Sequence, residues 1–443
     1  MKSSFIFLLF LLLILFAEAK SNKKSSSKLK EVQTFNYTYN KTLKDNILFE
    51  GIKYLKNDDN FIFRNFPRRN EEDFNMPTFS KYDKEKKEFI KWPSNNDYND
   101  KPLDSTDCSH FISIIDFEFD ENSNIYLLDE GNDNCPINLY IFNLEGDFLQ
   151  NLTVIKKNKE IFLTNFVLDR INNYAYIPFY NLNKNNNNSD YRAGIFVKEL
   201  IANVEEDNKE RIYESKIVYL KEQMFIFDEK YNFKNKFIND YFTIEEIQII
   251  NIALSCDGKY LILCPLSSRM IYSVLTRKLR DDSISFISIN DANEGYKNDA
   301  SSSLITSNMD NLYLTGLEKK VIYFANQIEN DLSEFDFKHF DKEENENMVW
   351  PTKLSITDGV LYILSKKIEI DSENNYAVSN QIFSASIGND KSYVYKCSGL
   401  AYRWHFIAYF IWGIFAVIVI FGLVFVYVGN EMDQEIMINK KKK

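Results

Sequence analysis

The sequence predicts an all-β ectodomain, a six-bladed β-propeller, followed by a single transmembrane α-helix. A strand–turn–strand phrase with a tyrosine in its second strand recurs about every 50 residues, which is the length of one four-stranded propeller blade. An uninterrupted apolar stretch at 406–428 is long enough to cross a bilayer. The repeat therefore predicts the fold of the large domain, and the apolar stretch predicts its attachment to a membrane.

The tyrosines of the recurring phrase give the spacing of the blades. They are Tyr126, Tyr176, Tyr260, Tyr313 and Tyr362, with separations of 50, 84, 53 and 49 residues. The separation of 84 fits one blade plus an insertion of about 30 residues, which we place in the polar stretch 181–236. Five blades are visible in this way, and the strands between Ile47 and Trp92 supply material for a sixth.

Nearly all-apolar strands such as Tyr260-Leu261-Ile262-Leu263 suit sheets that neighbouring blades bury on both faces. A β-sandwich or a pair of domains is the alternative fold, and the equal spacing of the phrases favours the propeller. The sequence contains neither a Trp-Asp dipeptide nor a Gly-Gly doublet. These absences argue against the two commonest repeat families of this kind.

The first residues have the pattern of a secretory signal peptide. Lys2 precedes an apolar run at 5–16, and Ala17-Glu18-Ala19 supplies a small-x-small cleavage site. We expect a signal peptide at 1–19, a mature N-terminus at Lys20 and a polar lead at 20–44. The alternative is an uncleaved anchor, which the short apolar run disfavours.

The apolar stretch 406–428 predicts a transmembrane helix, with a juxtamembrane linker at 399–405 and a cytoplasmic tail at 429–443. Four lysines close the tail, as the positive-inside rule requires of a cytoplasmic segment. The alternative is a buried core helix. The prediction is a single-pass type I protein of a secretory-pathway membrane, either the plasma membrane or the endoplasmic reticulum. Lys440 and Lys441 resemble a retrieval signal to the endoplasmic reticulum. The alternative is an ordinary lysine-rich stop-transfer tail, which has the same sequence pattern.

Composition excludes one class of partner and supports a large folded domain. The net charge of −11 gives no case for nucleic-acid binding. A hydrophobic content of 45%, with 27 Tyr and 37 Phe, supports a large packed core rather than disorder.

Five cysteines fit an oxidising compartment. Cys108 and Cys135 are the best candidate pair. Cys256 and Cys264 flank a predicted hairpin, so they either pair or remain buried thiols, and we expect Cys397 to be unpaired. Four Asn-x-Ser/Thr sites are consistent with a glycosylated lumenal domain, namely Asn36, Asn40, Asn151 and Asn187.

Several phrases of the sequence resemble the Yellow/major royal jelly protein family. The most specific one runs from Asn251-Ile-Ala-Leu-Ser-Cys-Asp-Gly-Lys-Tyr-Leu into Pro265-Leu-Ser-Ser-Arg269, and Leu279-Arg280-Asp281 follows. It is similar to the family's "ALSpDG…PLSSr…LrD" sentence. Other similar phrases stand in the family's order: Met76-Pro77-Thr78, Trp92-Pro93-Ser94, Asp129-Glu130-Gly131 with Cys135-Pro136, and Val349-Trp350-Pro351.

The resemblance covers about residues 45–385 and implies a propeller domain at 45–398. Three departures stand out. Thr164-Asn165 occupies the place of the family's frequent Asn-Asp pair, Tyr126 replaces the usual Trp, and the membrane anchor is not typical of secreted members.

The residues themselves do not point to an enzyme. The three histidines, His110, His339 and His405, are scattered, so a histidine-rich metal site or a Ser-His-Asp hydrolase is poorly supplied. Gly-x-Ser-x-Gly and Gly-x-Gly-x-x-Gly are both absent from the sequence. We therefore expect no cofactor, with calcium as the one alternative, and we lean against catalysis.

The family resemblance implies a ligand in the central channel, since some salivary members bind biogenic amines there. Asn165, Trp350 and Asp129 are the candidate ligand-binding residues. Each has a structural alternative: a turn-capping asparagine, a tryptophan packed between blades and a turn-forming aspartate.

Three functions follow as hypotheses. The first is a membrane-tethered propeller that binds a small molecule, an amine or aromatic, or a peptide. The second is a scaffold whose protein partners contact the insertion 181–236. The third is an enzyme, either a dopachrome-type isomerase, as the resemblance implies, or a calcium-dependent lactonase-like hydrolase.

Overall fold

A computed structural model of the chain describes most of the propeller strands and part of a C-terminal helix. The described residues are 29–39, 51–55, 60–64, 78–83, 85–86, 88–94, 98, 105–157, 161–181, 193–200, 205–206, 209–210, 215–221, 224, 250–266, 268–297, 299–325, 337–340, 348–370, 376–388, 390–394, 411–424, 427–429, 432 and 437. The chain divides into two units, Met1–Lys396 and Cys397–Lys443.

Six of the described sheets in the first unit are propeller blades, which we number I to VI. Blade I contains β2 (Gly51–Leu55), β3 (Asn60–Arg64), β4 (Phe79–Asp83) and β5 (Glu88–Lys91). Blade II contains β6 (Ile114–Phe119), β7 (Ile125–Asp129), β8 (Ile137–Phe142) and β9 (Phe148–Ile155). Blade III contains β10 (Ile161–Leu163), β11 (Val167–Asp169), β12 (Tyr174–Asn181), β13 (Ala193–Glu199), β16 (Lys216–Leu220) and β20 (Phe286–Ile287).

The other three blades follow in chain order. Blade IV contains β17 (Ile250–Leu254), β18 (Tyr260–Pro265), β19 (Met270–Leu275) and β21 (Ala292–Tyr296). Blade V contains β22 (Leu304–Thr306), β23 (Leu312–Gly316), β24 (Val321–Ala325) and β25 (Lys338–His339). Blade VI contains β26 (Trp350–Thr357), β27 (Val360–Ile370), β28 (Tyr376–Ser386) and β1 (Lys30–Tyr39).

Three small elements lie outside this pattern. The hairpin β14 (Glu205–Glu206) with β15 (Lys209–Glu210) falls between β13 and β16. The short helix α1 (Thr276–Arg280) follows β19, and a 3₁₀ turn at Ile289–Asp291 precedes β21.

The early strands of the blades form the inner ring of the propeller. β11 contacts β17, β17 contacts β22, β22 contacts β26, and β26 contacts β2. The sequence explains this position, because β17 reads Ile-Asn-Ile-Ala-Leu and is buried along its whole length. The outer strand β9 is instead half exposed, as expected where only one face meets a neighbour. The fold is thus the predicted six-bladed propeller, and each recurring phrase supplies the first hairpin of a blade.

Blade VI is closed by a strand from the start of the chain. β1 pairs antiparallel with β28, from Lys30 opposite Ser384 to Tyr39 opposite Tyr376. This strand lies within 20–44, the stretch expected to be a polar lead, so the propeller includes residues before 45. A polar outer strand has little apolar signal, because one of its faces meets water.

Blade III also differs from the expected layout. Its strands β13 and β16 lie inside 181–236, the stretch predicted as an insertion. That stretch therefore carries blade strands as well as loops. β16 pairs in parallel with β20, which gives this blade an additional outer strand.

The cysteines are paired in part as expected. Cys108 and Cys135 form a disulfide, with a Cα–Cα distance of 5.2 Å, as predicted. Cys264 is a free, buried thiol, whereas Cys256 is disulfide-bonded. The option of a Cys256–Cys264 bridge is therefore wrong. Cys397 lies outside the described residues.

The predicted modification and targeting sites are only partly described. Asn36 lies on β1, and Asn151 is partly exposed on the outer strand β9. Outside the described residues lie the signal peptide 1–19, Asn40, Asn187, the linker 399–405, Lys440 and Lys441.

The second unit contains the helix Ile411–Gly429, where the sequence predicts 406–428. It is long and apolar enough to cross a membrane, and its described side chains are almost all exposed.

Candidate functional site

Asp129 is the last residue of β7, and its side chain binds the backbone that immediately precedes the inner strand β6. Its carboxylate accepts hydrogen bonds from the backbone N–H groups of Ile112 at 3.1 Å and Ser113 at 2.6 Å. Complete burial is the main reason why the pKa of Asp129 rises to about 7, against the lowering effect of these hydrogen bonds. Its described contacts are thus with its own chain.

Asn165 joins two inner strands. Its side-chain Nδ2 donates to the carbonyl of Ile252 at 3.0 Å, and its Oδ1 accepts from the N–H of Ile252 at 3.4 Å. The neighbouring Thr164 hydroxyl donates to the carbonyl of Ile250 at 2.6 Å. The amide of Asn165 therefore continues the backbone ladder from blade III to blade IV.

Trp350 begins the inner strand of blade VI, and it is 6% exposed. Its backbone N–H donates to the hydroxyl of Ser365 at 3.1 Å. The indole N–H is buried and has no hydrogen-bond partner in the part of the chain that the structure describes, which leaves it available to a bound molecule or water.

The three candidates lie on three different blades. Asp129, Asn165 and Trp350 belong to blades II, III and VI, at the ends of the blades where the inner strands begin. Among the residues that the structure describes, no hydrogen bond joins any two of them.

Three of the recurring tyrosines, Tyr126, Tyr176 and Tyr313, donate their hydroxyls to a buried carboxylate. Where an arginine of the next blade joins the tyrosine and the carboxylate, we call the group an inter-blade clasp. The hydroxyl of Tyr176 donates to Asp169 Oδ2 at 3.1 Å and accepts from Arg280 Nη1 at 2.8 Å. Arg280 also pairs with Asp169 Oδ2 at 3.0 Å. Since Arg280 belongs to α1 after blade IV's third strand, the clasp fastens blade III to blade IV.

The same arrangement recurs between blades II and III. Arg170 Nη1 donates to the hydroxyl of Tyr126 at 2.9 Å, and that hydroxyl lies 3.4 Å from Asp120 Oδ2. Burial raises the pKa of Tyr126 to about 12, so its hydroxyl keeps the proton.

In blade V, the carboxylate that accepts the hydrogen bond of the tyrosine comes from outside the blade. The hydroxyl of Tyr313 donates to Asp390 Oδ2 at 2.9 Å, and Asn311 Nδ2 donates to the same atom at 2.7 Å. Asp390 begins the segment 390–394, which follows blade VI.

Segment 390–394 crosses the ends of several inner strands. The backbone N–H of Asn308 donates to the carbonyl of Lys391 at 2.8 Å, and the backbone N–H of Leu168 donates to the hydroxyl of Tyr393 at 3.0 Å. These contacts link blades V and III through one short segment. Burial raises the pKa of Tyr393 well above its usual value.

Two ion pairs, one buried and one partly buried, connect the inner strands of blades VI, I and II. Lys53 Nζ pairs with Glu118 Oε1, and both side chains are 9% exposed. Lys353 Nζ pairs with Asp116 Oδ1 at 2.8 Å, from blade VI to blade II. Charged groups so deep in a protein need partners, and these have them.

A cavity of about 130 Å³ lies where the same three inner strands end, beside segment 390–394. We call it the channel-end cavity. Its walls include Lys53, Tyr54, Glu118, Phe119, Leu144 and Ser392. The Ser392 hydroxyl is buried and has no hydrogen-bond partner among the described residues. The cavity thus combines two aromatic rings, an ion pair and an unpaired hydroxyl.

The residues of this cavity were not among the predicted ligand-binding residues. A signal was present, because single charged residues interrupt apolar inner strands: Lys53 in Gly-Ile-Lys-Tyr-Leu, and Asp116 and Glu118 in Ile-Ile-Asp-Phe-Glu-Phe. A charge at such a position is costly unless it has a partner or a function.

Among the described residues, no group of three or more His, Cys, Asp or Glu side chains could hold a metal ion. The two carboxylates of the inner strand β6, Asp116 and Glu118, are paired with lysines instead. The expectation of no cofactor, with calcium as the alternative, stays a prediction.

A sequence model of the major royal jelly protein family matches residues 222–395. The match runs from the end of blade III through blades IV, V and VI and includes segment 390–394. It contains the phrase from Asn251 to Asp281 that carries the family resemblance. No curated protein matches the chain significantly by sequence.

Several solved structures are similar to the chain over most of its length, at low sequence identity and low TM-score. A luciferin-regenerating enzyme is 11% identical, with a TM-score of 0.42, and the match covers 83% of this chain and 97% of that one. Regucalcin, a calcium-binding protein from Agrobacterium tumefaciens, is 8% identical with a TM-score of 0.41, over 79% and 95% of the two chains. A PQQ-bound aldose sugar dehydrogenase from Streptomyces coelicolor is 6% identical with a TM-score of 0.41, over 80% and 98%.

Proposed function

We propose that the chain is a membrane-tethered β-propeller of the major royal jelly type that binds a small molecule in the channel-end cavity. The observation that carries this proposal is the cavity itself, with its Lys53–Glu118 pair and the unpaired hydroxyl of Ser392. Binding sites are concave, have apolar walls and carry a few polar groups that orient the ligand.

The chemistry of the walls favours a small aromatic or amine-containing molecule, or the end of a peptide. The rings of Tyr54 and Phe119 offer apolar and cation–π contacts, and Glu118 offers a charged acceptor. Phe119 already has an ammonium group near it, since Lys53 Nζ lies 5.9 Å from its ring centroid.

The proposal places the propeller on the lumenal or extracellular side, with the tail 429–443 in the cytoplasm. The helix Ile411–Gly429 supports a single membrane span by its length and composition. The Cys108–Cys135 disulfide supports an oxidising compartment for the propeller. The membrane belongs, in this proposal, to the secretory pathway.

Ligand binding is tested by the melting temperature of the full-length protein in detergent micelles with small amines, catechol, small amino acids and neutral analogues. A ligand that binds only the folded state raises stability by about 2.7 kcal/mol at 100 times its dissociation constant. Leu144→Trp, which fills the cavity, is expected to remove the shift. Leu149→Trp is the matched control, because Leu149 is half exposed on the same blade and outside the cavity. A shift that survives Leu144→Trp would place the ligand elsewhere.

A further inference from the structure

We propose that the channel-end cavity selects a zwitterion, a small amino acid whose ammonium and carboxylate groups pair with Glu118 and Lys53. This inference rests on the proposed function and names the ligand class for the same cavity. It is carried by the charge balance of the buried groups together with the size of the cavity.

Each buried charge at the cavity already has an opposite charge beside it. Glu118 pairs with Lys53, and the carboxylate of Asp120 lies 3.7 Å from Arg170 Nη2. The nearby Asp116 pairs with Lys353 at 2.8 Å. The remaining charged wall residue, Asp358, is exposed to solvent. The interior of the cavity is therefore electrically balanced before any ligand enters.

A ligand with one charge upsets this balance. A simple amine that pairs with Glu118 separates it from Lys53 and leaves a buried ammonium without a partner. A simple carboxylate that pairs with Lys53 leaves the buried carboxylate of Glu118 without a partner. An unpaired buried charge is strongly unfavourable. A zwitterion inserted between Lys53 and Glu118 satisfies both groups.

Other wall groups complete the fit. The hydroxyl of Ser392 is buried and unpaired, so it can donate to the ligand carboxylate. One oxygen of Glu118 accepts the N–H of Phe119 at 2.9 Å, which holds the carboxylate in place. The rings of Tyr54 and Phe119 leave an apolar wall for a short side chain.

The volume limits the ligand. An apolar cavity of about 150 Å³ accommodates benzene, and this cavity measures about 130 Å³. It therefore suits a molecule of about six to eight non-hydrogen atoms by the same comparison. Alanine, serine and proline have that size, whereas an aromatic amino acid exceeds it.

The test is isothermal titration of the full-length protein in detergent micelles with alanine, serine, proline and two singly charged analogues of alanine. Isopropylamine keeps the ammonium group, and isobutyrate keeps the carboxylate. We expect at least one amino acid to bind about 100-fold more tightly than either analogue, since each analogue leaves one buried charge unpaired.

Variants with one charge removed sharpen the test. Lys53→Met is expected to switch the preference to isopropylamine, and Glu118→Met to isobutyrate. The double variant Lys53→Met/Glu118→Met keeps the charge balance and should lose amino-acid binding while remaining folded. The matched control is Asp257→Asn/Lys259→Met, which removes an ion pair at 2.8 Å on the first turn of blade IV, between the exposed Lys259 and the partly buried Asp257.

The outcomes separate the two proposals. If isopropylamine or an aromatic amine binds as tightly as the amino acids, and Leu144→Trp removes that binding, the zwitterion inference is wrong and the proposed function stands. If no amine, aromatic compound or amino acid binds the wild-type protein, both are wrong.

Discussion

The carboxyl group of Asp129 lies in the interior with two backbone N–H groups directed at it. Burial disfavours its charged form more than these hydrogen bonds favour it, so its pKa rises to about 7. Asp107, by contrast, lies on the surface, and hydrogen bonds from Ser109 lower its pKa to about 2. Surroundings rather than residue type decide the charge of these carboxyl groups near neutral pH.

Asp129 should make the stability of the propeller depend on pH. Its pKa is about 7 in the folded protein against the usual 3.8, so the folded state holds the proton longer than the unfolded chain. Its contribution is therefore most favourable below pH 4, falls as the pH rises from about 4 to about 7, and is constant above that. The total change is on the order of 4 kcal/mol.

Urea unfolding of the wild type and Asp129→Asn between pH 4.5 and 8 measures this effect. The free energy of unfolding of Asp129→Asn should not fall between pH 4.5 and 7 as that of the wild type does. The variant also loses a hydrogen bond to the 112–113 backbone, which lowers its stability at every pH. The exposed Asp147 supplies the control, since Asp147→Asn should keep the wild-type slope. Equal slopes in the wild type and Asp129→Asn would contradict the assignment.

Neighbouring blades are joined by specific polar contacts as well as by apolar packing. The inter-blade clasp of Asp169, Tyr176 and Arg280 fastens blade III to blade IV, and Asn165 does so through the backbone of Ile252. Such contacts fix the angle between adjacent sheets, because hydrogen bonds are directional.

Removing the cation of the clasp should destabilise the propeller. Arg280→Met leaves the fully buried side chain of Asp169 without its ion-pair partner, and we expect a loss of about 3 kcal/mol. Arg277→Met is the matched control, since Arg277 lies on the same helix, is exposed and should change stability by less than about 0.5 kcal/mol.

Unfolding of Asp169→Asn/Arg280→Met completes a double-mutant cycle for the clasp. The double variant should lose less stability than the sum of the single variants, since the buried charge is removed together with its partner. Strict additivity would show that the clasp contributes no coupling.

The ring of six blades follows from sequence to a large extent. The phrases at Tyr126, Tyr176, Tyr260, Tyr313 and Tyr362 predict five first hairpins, and each is found. This succeeds because inner strands are buried on both faces and therefore keep an apolar pattern. The clasp explains why a tyrosine recurs in the second strand, since its hydroxyl is a hydrogen-bonding group in three of the blades.

The site is less visible in the sequence. Asn165 and Asp129 were chosen from family phrases, and their described contacts serve the backbone of their own chain. Lys53, Glu118 and Ser392 lie far apart in sequence and meet only because the ring closes. Contacts of that kind depend on tertiary structure, which local patterns do not encode.

The Cys108–Cys135 disulfide should matter for the stability of the whole propeller. It closes a loop with a sequence separation of 27, so its loss should cost about 3 kcal/mol in the chain-entropy model. Thermal or urea unfolding of Cys108→Ser/Cys135→Ser measures the loss. Cys264→Ala, which removes the free thiol, is the comparison and should cost less. A double variant as stable as the wild type would show that local contacts alone hold this loop.

The pairing of β1 with β28 has a consequence for biosynthesis. The strand β1 is synthesised long before its partner β28, because 337 residues (376 − 39) separate Tyr39 from Tyr376. The last blade can form only after both strands have been made. At about 5–20 residues per second, the ribosome needs roughly 17–67 seconds to make that length. For this time the nascent chain carries an unpaired strand edge, which can capture another chain. Chaperones that bind exposed strands during translation would therefore act first on the segment Lys30–Tyr39.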